Sequence, residues 1–232
     1  MRYVGSELEL FALAHNWKEY SLGLIRPYIT GHVLEVGAGI AAATPYLISD
    51  TVSSWTCLEP DPDMAMQIAG KLTAGTLPGV TSVWVGTIRV FAGKRQFDSI
   101  LYLDVLEHIR DDRAELESAS RLLMPGGRLI VLAPAHERLY SEFDTAVGHY
   151  RRYCRSSLLK IAPSKLKMVE IYYIDVVGIL ASWANKAILR RASPQATQIQ
   201  VWDRYMIPLS RALDKLFGFR WGKSIVGVWE AV

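Results

Sequence analysis

The sequence predicts an α/β protein, a doubly wound and mainly parallel sheet with helices on both faces. Three observations carry this expectation. Short apolar runs rich in β-branched residues recur through the first 135 residues. Segments of helical period lie between them. A glycine turn, Gly37-Ala38-Gly39, follows the first run directly. Strands buried on both faces read as continuous apolar runs, and their alternation with helices is what a parallel sheet requires.

The elements follow in order. Residues 1–30 read as a helical cap, with Leu8, Phe11, Leu13, Trp17 and Tyr20 near a 3.6 period and Pro27 disturbing its end. His32 to Val36 is the first strand, closed by Gly37. Residues 41–49 look helical. Val52 to Leu58 is the second strand. Pro62 opens a helix to about Lys71, with Asp61 as its N-cap. Thr81 to Val85 and the apolar Phe97 to Leu103 are the third and fourth strands. Residues 111–123 form a helix with acids at its start, matching its dipole. Pro125-Gly126-Gly127 breaks it, and Arg128 to Ala133 is the fifth strand.

After Pro134 the pattern changes. Residues 134–155 are polar and aromatic without a clear period. A short helix at 155–162 precedes a sixth strand, Lys165 to Ile174, and Lys223 to Val232 is the last. Residues 176–220 are apolar but interrupted by Pro194 and Pro208. The run Val176 to Ala184 is closed off by Asn185, Lys186, Arg190 and Arg191, far short of the roughly 20 residues of a spanning helix. A buried or lid helix and a peripheral membrane contact through 176–220 both stay open. No linker divides the chain, so one domain over 1–232 is expected.

Composition narrows the class. Half of the 232 residues are hydrophobic and 21% are charged, which suits a globular core and excludes a disordered or collagen-like chain. Two cysteines, Cys57 and Cys154, are too few for a disulfide framework. Glu7 and Glu9 stand where a secretion signal needs an apolar run, so a cytoplasmic location is expected. The net charge of +3 is unevenly spread: residues 1–130 carry −4 and residues 131–232 carry +7. Such asymmetry points to an anionic partner for the second half or to scattered solvated charge.

Three features carry chemistry. Gly37-x-Gly39-x-x-Ala42 is a relaxed dinucleotide fingerprint at a strand-to-helix turn. Glu59 ends the second strand 20 residues after Gly39, where an acid can accept both hydroxyls of a ribose. Glu35, at the end of the first strand, is costly to bury without a partner, and a ligand's ammonium group would supply one.

On the segments VLEVGAGIAAAT (33–44), CLEPDPDM (57–64), FDSILYLDVLEHI (97–109) and LLMPGGRLIVLAP (122–134), the chain resembles class I S-adenosylmethionine-dependent methyltransferases. FDTAVGHYRRYCRSSL (143–158) resembles a bacterial subgroup acting on small molecules. The resemblance implies a Rossmann-like sheet of seven strands with the last antiparallel, a donor-binding core over 31–133, substrate-side elements over 134–220 and a final strand over 221–232. It implies that Glu35, Gly37, Ala38 and Gly39 hold the methionine end of the donor. Glu59 would hold the ribose, with Pro60, Met64 and Thr87 near the adenine, and Leu103 and Asp104 beside the methyl. Thr87 stands where many members carry an acid, and Ala41 replaces the usual third glycine.

A hydroxyl acceptor benefits from a general base, and His108 and His149 are the candidates. Tyr150, Arg151, Arg152 and Tyr153 are the candidate acceptor site, with one arginine expected to bind an anion and the other to pin the loop by pairing with Asp144 or Glu142. No dense cluster with metal-ligand spacing is evident, so no metal is expected. Nothing argues for nucleic acid. The expected protein is a methyltransferase for a small-molecule acceptor, anionic or lipid- or sugar-linked. A nicotinamide-dependent oxidoreductase and a non-catalytic donor-binding domain are the alternatives.

Overall fold

The protein is described by a computed structural model that covers residues 11–93, 96–184 and 196–232. Leu8, Asn185, Lys186, Arg190, Arg191 and Pro194, on which parts of the expected caps and boundaries rest, lie outside them.

Seven strands form one sheet: β1 Gly31–Val36, β2 Val52–Glu59, β3 Thr81–Val85, β4 Phe97–Leu103, β5 Leu123–Pro134, β6 Leu166–Ile174 and β7 Ser224–Ala231. Their order is β3-β2-β1-β4-β5-β7-β6. β7 runs antiparallel to both neighbours, and the pairs among β1 to β5 are parallel. The doubly wound sheet with an antiparallel last strand is as expected.

Alternation places successive side chains on opposite faces. Val33, Leu101, Ile130 and Leu132 join Trp55 and Cys57 in one core. Leu34, Val36, Ile100, Tyr102, Leu129 and Val131 build the other. The central strands are therefore buried on both sides, while the edge strand β3 exposes Trp84 and Val85.

The helices are α1 His15–Ile25, α2 Thr44–Leu47, α3 Pro62–Thr73, α4 Asp112–Ser120, α5 Glu142–Ala146, α6 Arg155–Ile161, α7 Val176–Ala184, α8 Ala196–Val201 and α9 Ile207–Leu216. The Asp61 side chain accepts from the Asp63 amide and caps α3 as expected.

Three boundaries differ from the sequence reading. The helix expected over 41–49 shrinks to the single turn α2, because Ala41 takes a left-handed φ of 55° that no α-helix contains. The helix expected to reach 123 stops at Ser120, because Leu123 already pairs with Phe97 and β5 runs through Pro125-Gly126-Gly127. Pro208 does not break its helix. A π-helical turn, Trp202–Met206, links α8 to α9 just before it, in the place where the proline's missing N–H and ring would disrupt a regular ladder. No helix among the described residues is long and apolar enough to cross a membrane.

Candidate active site

The chain winds outward from β1 through β2 to β3, then returns to build β4 and β5 on the other side. That reversal opens a crevice at the carboxyl ends of β1 and β4, where ligands of such sheets bind. Glu35, Glu59, Thr87 and Asp104 all stand at or just beyond the carboxyl ends of four adjacent strands.

The turn after β1 shows why glycine is needed there. Gly37 has φ +68°, and a Cβ on it would lie 2.7 Å from the Val105 side chain beyond β4. The two strand ends thus meet through a residue without a side chain. Gly39 donates its amide to the Glu59 carboxylate at 2.7 Å, and the Asp61 amide donates to the same carboxylate at 2.9 Å. Glu59 is buried against the turn, and burial raises its carboxyl while the Asp61 and Gly39 amides oppose the shift. Pro60 and Met64 lie half-buried beside it, and Ala38 is buried in the turn.

Glu35 already has partners. One of its oxygens accepts from the Thr44 hydroxyl at 2.6 Å and from the Trp55 indole N–H at 2.8 Å. Burial pushes its carboxyl up, and these two bonds oppose the shift. The cost of burying this acid is met inside the protein, so it does not require a ligand's ammonium. Thr87 is exposed and Leu103 half-buried.

Beyond β4 a tight 3₁₀ turn, Leu106–His108, brings a second group together. The Tyr150 amide donates to the Glu107 carbonyl at 2.8 Å and ties the loop after α5 to this turn. The rings of His108 and His149 cross edge to face with centroids 4.6 Å apart. His149 Nδ1 lies 2.9 Å from Asp144 Oδ1, and its Nε2 lies 3.9 Å from Glu107 Oε1. Ligand atoms of Glu107, His108 and His149 all lie within 4.8 Å of one another. The expectation of no His/acid cluster is thereby corrected. His149 is 41 positions from His108 in sequence, and only the fold brings them together.

The charges here are unusual. Burial holds the His108 imidazole down to about 4, with the charge of His149 adding to it and a hydrogen bond to the Gly148 carbonyl opposing it. Burial pushes the Asp104 carboxyl up to about 6 against the pull of His149 and Lys223, although water still reaches it through the open crevice. Glu107 is 1% exposed, neither of its carboxylate oxygens has a hydrogen-bond partner, and burial and the Asp104 charge raise it well above the usual range.

The expected acceptor cluster divides differently from the sequence reading. Arg152 is buried and grips Asp144 with two bonds, at 2.8 and 2.9 Å. Arg151 pairs with Asp112 at 2.8 Å and donates to the Arg110 carbonyl at 2.7 Å. Both arginines are engaged, because adjacent side chains diverge and each meets its own acid. Against the upward push of burial, hydrogen bonds from His149 and Arg152 hold the Asp144 carboxyl well below its ordinary value. Tyr153 is buried, its hydroxyl donating to Asp112 at 2.8 Å, and only Tyr150 is exposed. Asp144 was one of the two acids expected to pin the loop through an arginine, and Arg152 meets it, whereas Glu107 had no signal in the sequence beyond its residue type.

A glycine turn after β1, a buried acid ending β2 and a sheet closed by an antiparallel β7 are the features on which the chain resembles the class I S-adenosylmethionine-dependent methyltransferases. Residues 34–129 match the family described as "Methyltransferase domain". A curated protein named demethylmenaquinone methyltransferase from Tropheryma whipplei is 28% identical over 157 residues, covering 63% of this chain and 58% of that protein. The match therefore spans less than two thirds of that relative's length. Another of the same name, from Mycobacterium tuberculosis, is 26% identical over 178 residues, covering 75% of this chain and 68% of the other. Geranyl diphosphate methyltransferase in complex with S-adenosylmethionine superposes with a TM-score of 0.68 at 13% identity, covering 98% of this chain and 91% of that one. An N-methyltransferase from Bradyrhizobium japonicum in complex with S-adenosylhomocysteine does so at 0.55 and 14%, covering 93% and 85%. S-adenosylmethionine is the cofactor of this class.

Proposed function

We propose that the protein is an S-adenosylmethionine-dependent methyltransferase that methylates a hydroxyl of a small-molecule acceptor. The observation that supports this reading is the juxtaposition, at one crevice, of a ribose-type acid on a glycine turn with two oriented imidazoles. The family match favours it over the nicotinamide alternative.

When bound, S-adenosylmethionine supplies a sulfonium methyl already activated for in-line displacement. The chain's task is then to hold two reactants in line, which can supply much of the acceleration. Gly37, Ala38 and Gly39 allow the donor close to the backbone, Glu59 takes the ribose, and Pro60, Met64 and Thr87 border the base. Glu35 supports the turn from below through Thr44. Leu103 and Asp104 border the methyl end.

His149 turns Nδ1 to Asp144, and His108 turns one nitrogen to the Gly148 carbonyl. The second nitrogen of each is left to the cluster and can take the acceptor's proton. Tyr150 offers its exposed ring to the acceptor. With Arg151 and Arg152 engaged by acids, the loop favours a neutral acceptor over an anionic one. The π-helical turn and α9 together carry exposed Tyr205, Leu209 and Leu216 beside Arg204, Arg211 and Lys215, which supports a peripheral contact with an anionic lipid surface.

Ligand-dependent thermal stability tests the donor reading. S-adenosylhomocysteine at 100 times its Kd should add about 2.7 kcal/mol. Stabilisation by NADH and none by S-adenosylhomocysteine overturns the reading. Transfer of labelled methyl to a panel of hydroxyl compounds tests the reaction. His149→Ala should lower kcat by roughly 100-fold or more with the donor KM unchanged.

A further inference from the structure

We propose that Glu107, His108 and His149 form a binding site for a divalent transition-metal ion at the acceptor end of the crevice. Four observations on the folded chain support it.

The first is Glu107. Its carboxylate is 1% exposed, and neither oxygen has a hydrogen-bond partner. A buried carboxylate without a partner is costly, and it is found where a cation or a proton completes it. A general-base role for His149 does not use this group, since Asp144 already orients that imidazole.

The second is geometry. The candidate ligand atoms lie within 4.8 Å of one another, and His149 Nε2 is 3.9 Å from Glu107 Oε1. Ligands about 2.0–2.2 Å from one ion sit about 3–3.5 Å apart, so binding draws the three inward by about 1 Å.

The third is the outer layer. A metal-bound histidine commonly gives its other ring nitrogen to a carboxylate or a backbone carbonyl, which fixes its tautomer. His149 has Asp144 at 2.9 Å, and His108 has the Gly148 carbonyl. Arg152 in turn locks Asp144. Both rings are thus held by the kind of partner that presents a nitrogen lone pair to an ion.

The fourth is charge. Glu107 lies among the acids Asp104 and Asp144, while Arg152 is bonded to Asp144 and Lys223 acts on Asp175 and Asp104, so among the described residues no lysine or arginine pairs with Glu107. Two imidazoles and a carboxylate suit ions such as Zn²⁺, Co²⁺, Mn²⁺ or Fe²⁺ better than Ca²⁺ or Mg²⁺. Three protein ligands leave open positions toward the crevice.

The use of the ion rests on the methyltransferase reading. An ion held by Glu107, His108 and His149 would polarise an acceptor hydroxyl at an open position, whose O–H proton would pass to solvent water. In that state the imidazoles hold the ion and not the proton.

The test uses the full chain, stripped with chelator and dialysed separately against Co²⁺, Zn²⁺ and Mn²⁺, with metal measured by elemental analysis. About one equivalent should be retained, with Co²⁺ giving paramagnetically shifted imidazole N–H signals. Glu107→Gln, which keeps the side-chain volume, and His149→Ala should each weaken binding by at least about 10-fold. Both should keep the thermal shift given by S-adenosylhomocysteine, and the distant His32→Ala should bind metal like the parent. Wild-type protein that retains none of the three ions, or that shows no shifted imidazole signals with Co²⁺, overturns the site. So does affinity unchanged in Glu107→Gln. Metal bound by wild type without any response to S-adenosylhomocysteine overturns the donor reading and leaves the site standing.

Discussion

Single residues in the donor turn carry opposite costs. Gly37 and Ala41 both have positive φ, at 68° and 55°. Only glycine adopts such angles freely, and an L side chain there costs about 1–2 kcal/mol. Ala41→Gly relieves that cost against the added freedom of the unfolded chain, so it should stabilise by about 0.5–1 kcal/mol in urea unfolding. Gly37→Ala adds a Cβ 2.7 Å from Val105 and should destabilise by about 2 kcal/mol or more while weakening donor binding. The cysteines differ as sharply. Hydrogen bonds from Ser156 and Ser157 lower the Cys154 thiol to about 7, while burial and the Glu35 charge push the Cys57 thiol up. Thiolate is the reactive form, so alkylation of the native protein should rise through neutral pH and stop at one thiol. Mass spectrometry should place the label on Cys154, with Cys57 reacting only after unfolding.

Elements are joined at their ends by buried acids that the sequence did not mark. Asp203, on the π-helical turn, accepts from the amides of Asn16 and Trp17 and so caps α1 from the far end of the chain. Asp214, on α9, accepts from the Tyr20 hydroxyl at 2.6 Å and from the amides of Asp175 and Val176 at the start of α7. Asp214→Ala strands three buried donors at once, each worth about 1–3 kcal/mol, and should cost about 3 kcal/mol or more in urea denaturation. Strands were legible because a buried strand must be apolar along its length, and β1, β2, β3, β4, β6 and β7 fall within two residues of expectation. The glycine turn and the acid ending β2 were legible for a related reason, since a tight strand-to-helix turn restricts residue type over a few consecutive positions. The His108–His149–Glu107 cluster was not, because its members meet through a loop of irregular period. Of the arginine pairs, Arg152 with Asp144 was within the expected pairings and Arg151 with Asp112 was not, because Asp112 lies on a different element.

At the scale of the molecule, the uneven charge of the sequence gains a place. Arg151 and Arg152, the obvious anion fork, are spent on Asp112 and Asp144. Part of the exposed basic charge of the second half lies on the π-helical turn, α9 and the turn after it, at Arg204, Arg211, Lys215 and Arg220. Between these side chains lie Tyr205, Leu209, Leu216 and Trp221, exposed by 64, 51, 75 and 55%. Leu216, Phe217, Gly218, Arg220 and Trp221 border a groove of about 480 Å³. Cations flanking an apolar helix face suit an anionic lipid surface, into which such a face inserts while the charges meet the headgroups. Each basic residue near that surface contributes about 1 kcal/mol, which is roughly fivefold in affinity. The protein should therefore sediment with phosphatidylserine vesicles and not with pure phosphatidylcholine, with Trp221 fluorescence shifting to the blue. Added salt should weaken the binding, and Arg211→Glu with Lys215→Glu should weaken it by at least about 20-fold. These positions lie away from the donor turn, so S-adenosylhomocysteine should stabilise the double variant like the parent. Equal binding to both vesicle types would leave the apolar face without an electrostatic role, and no binding to either would remove the membrane contact altogether.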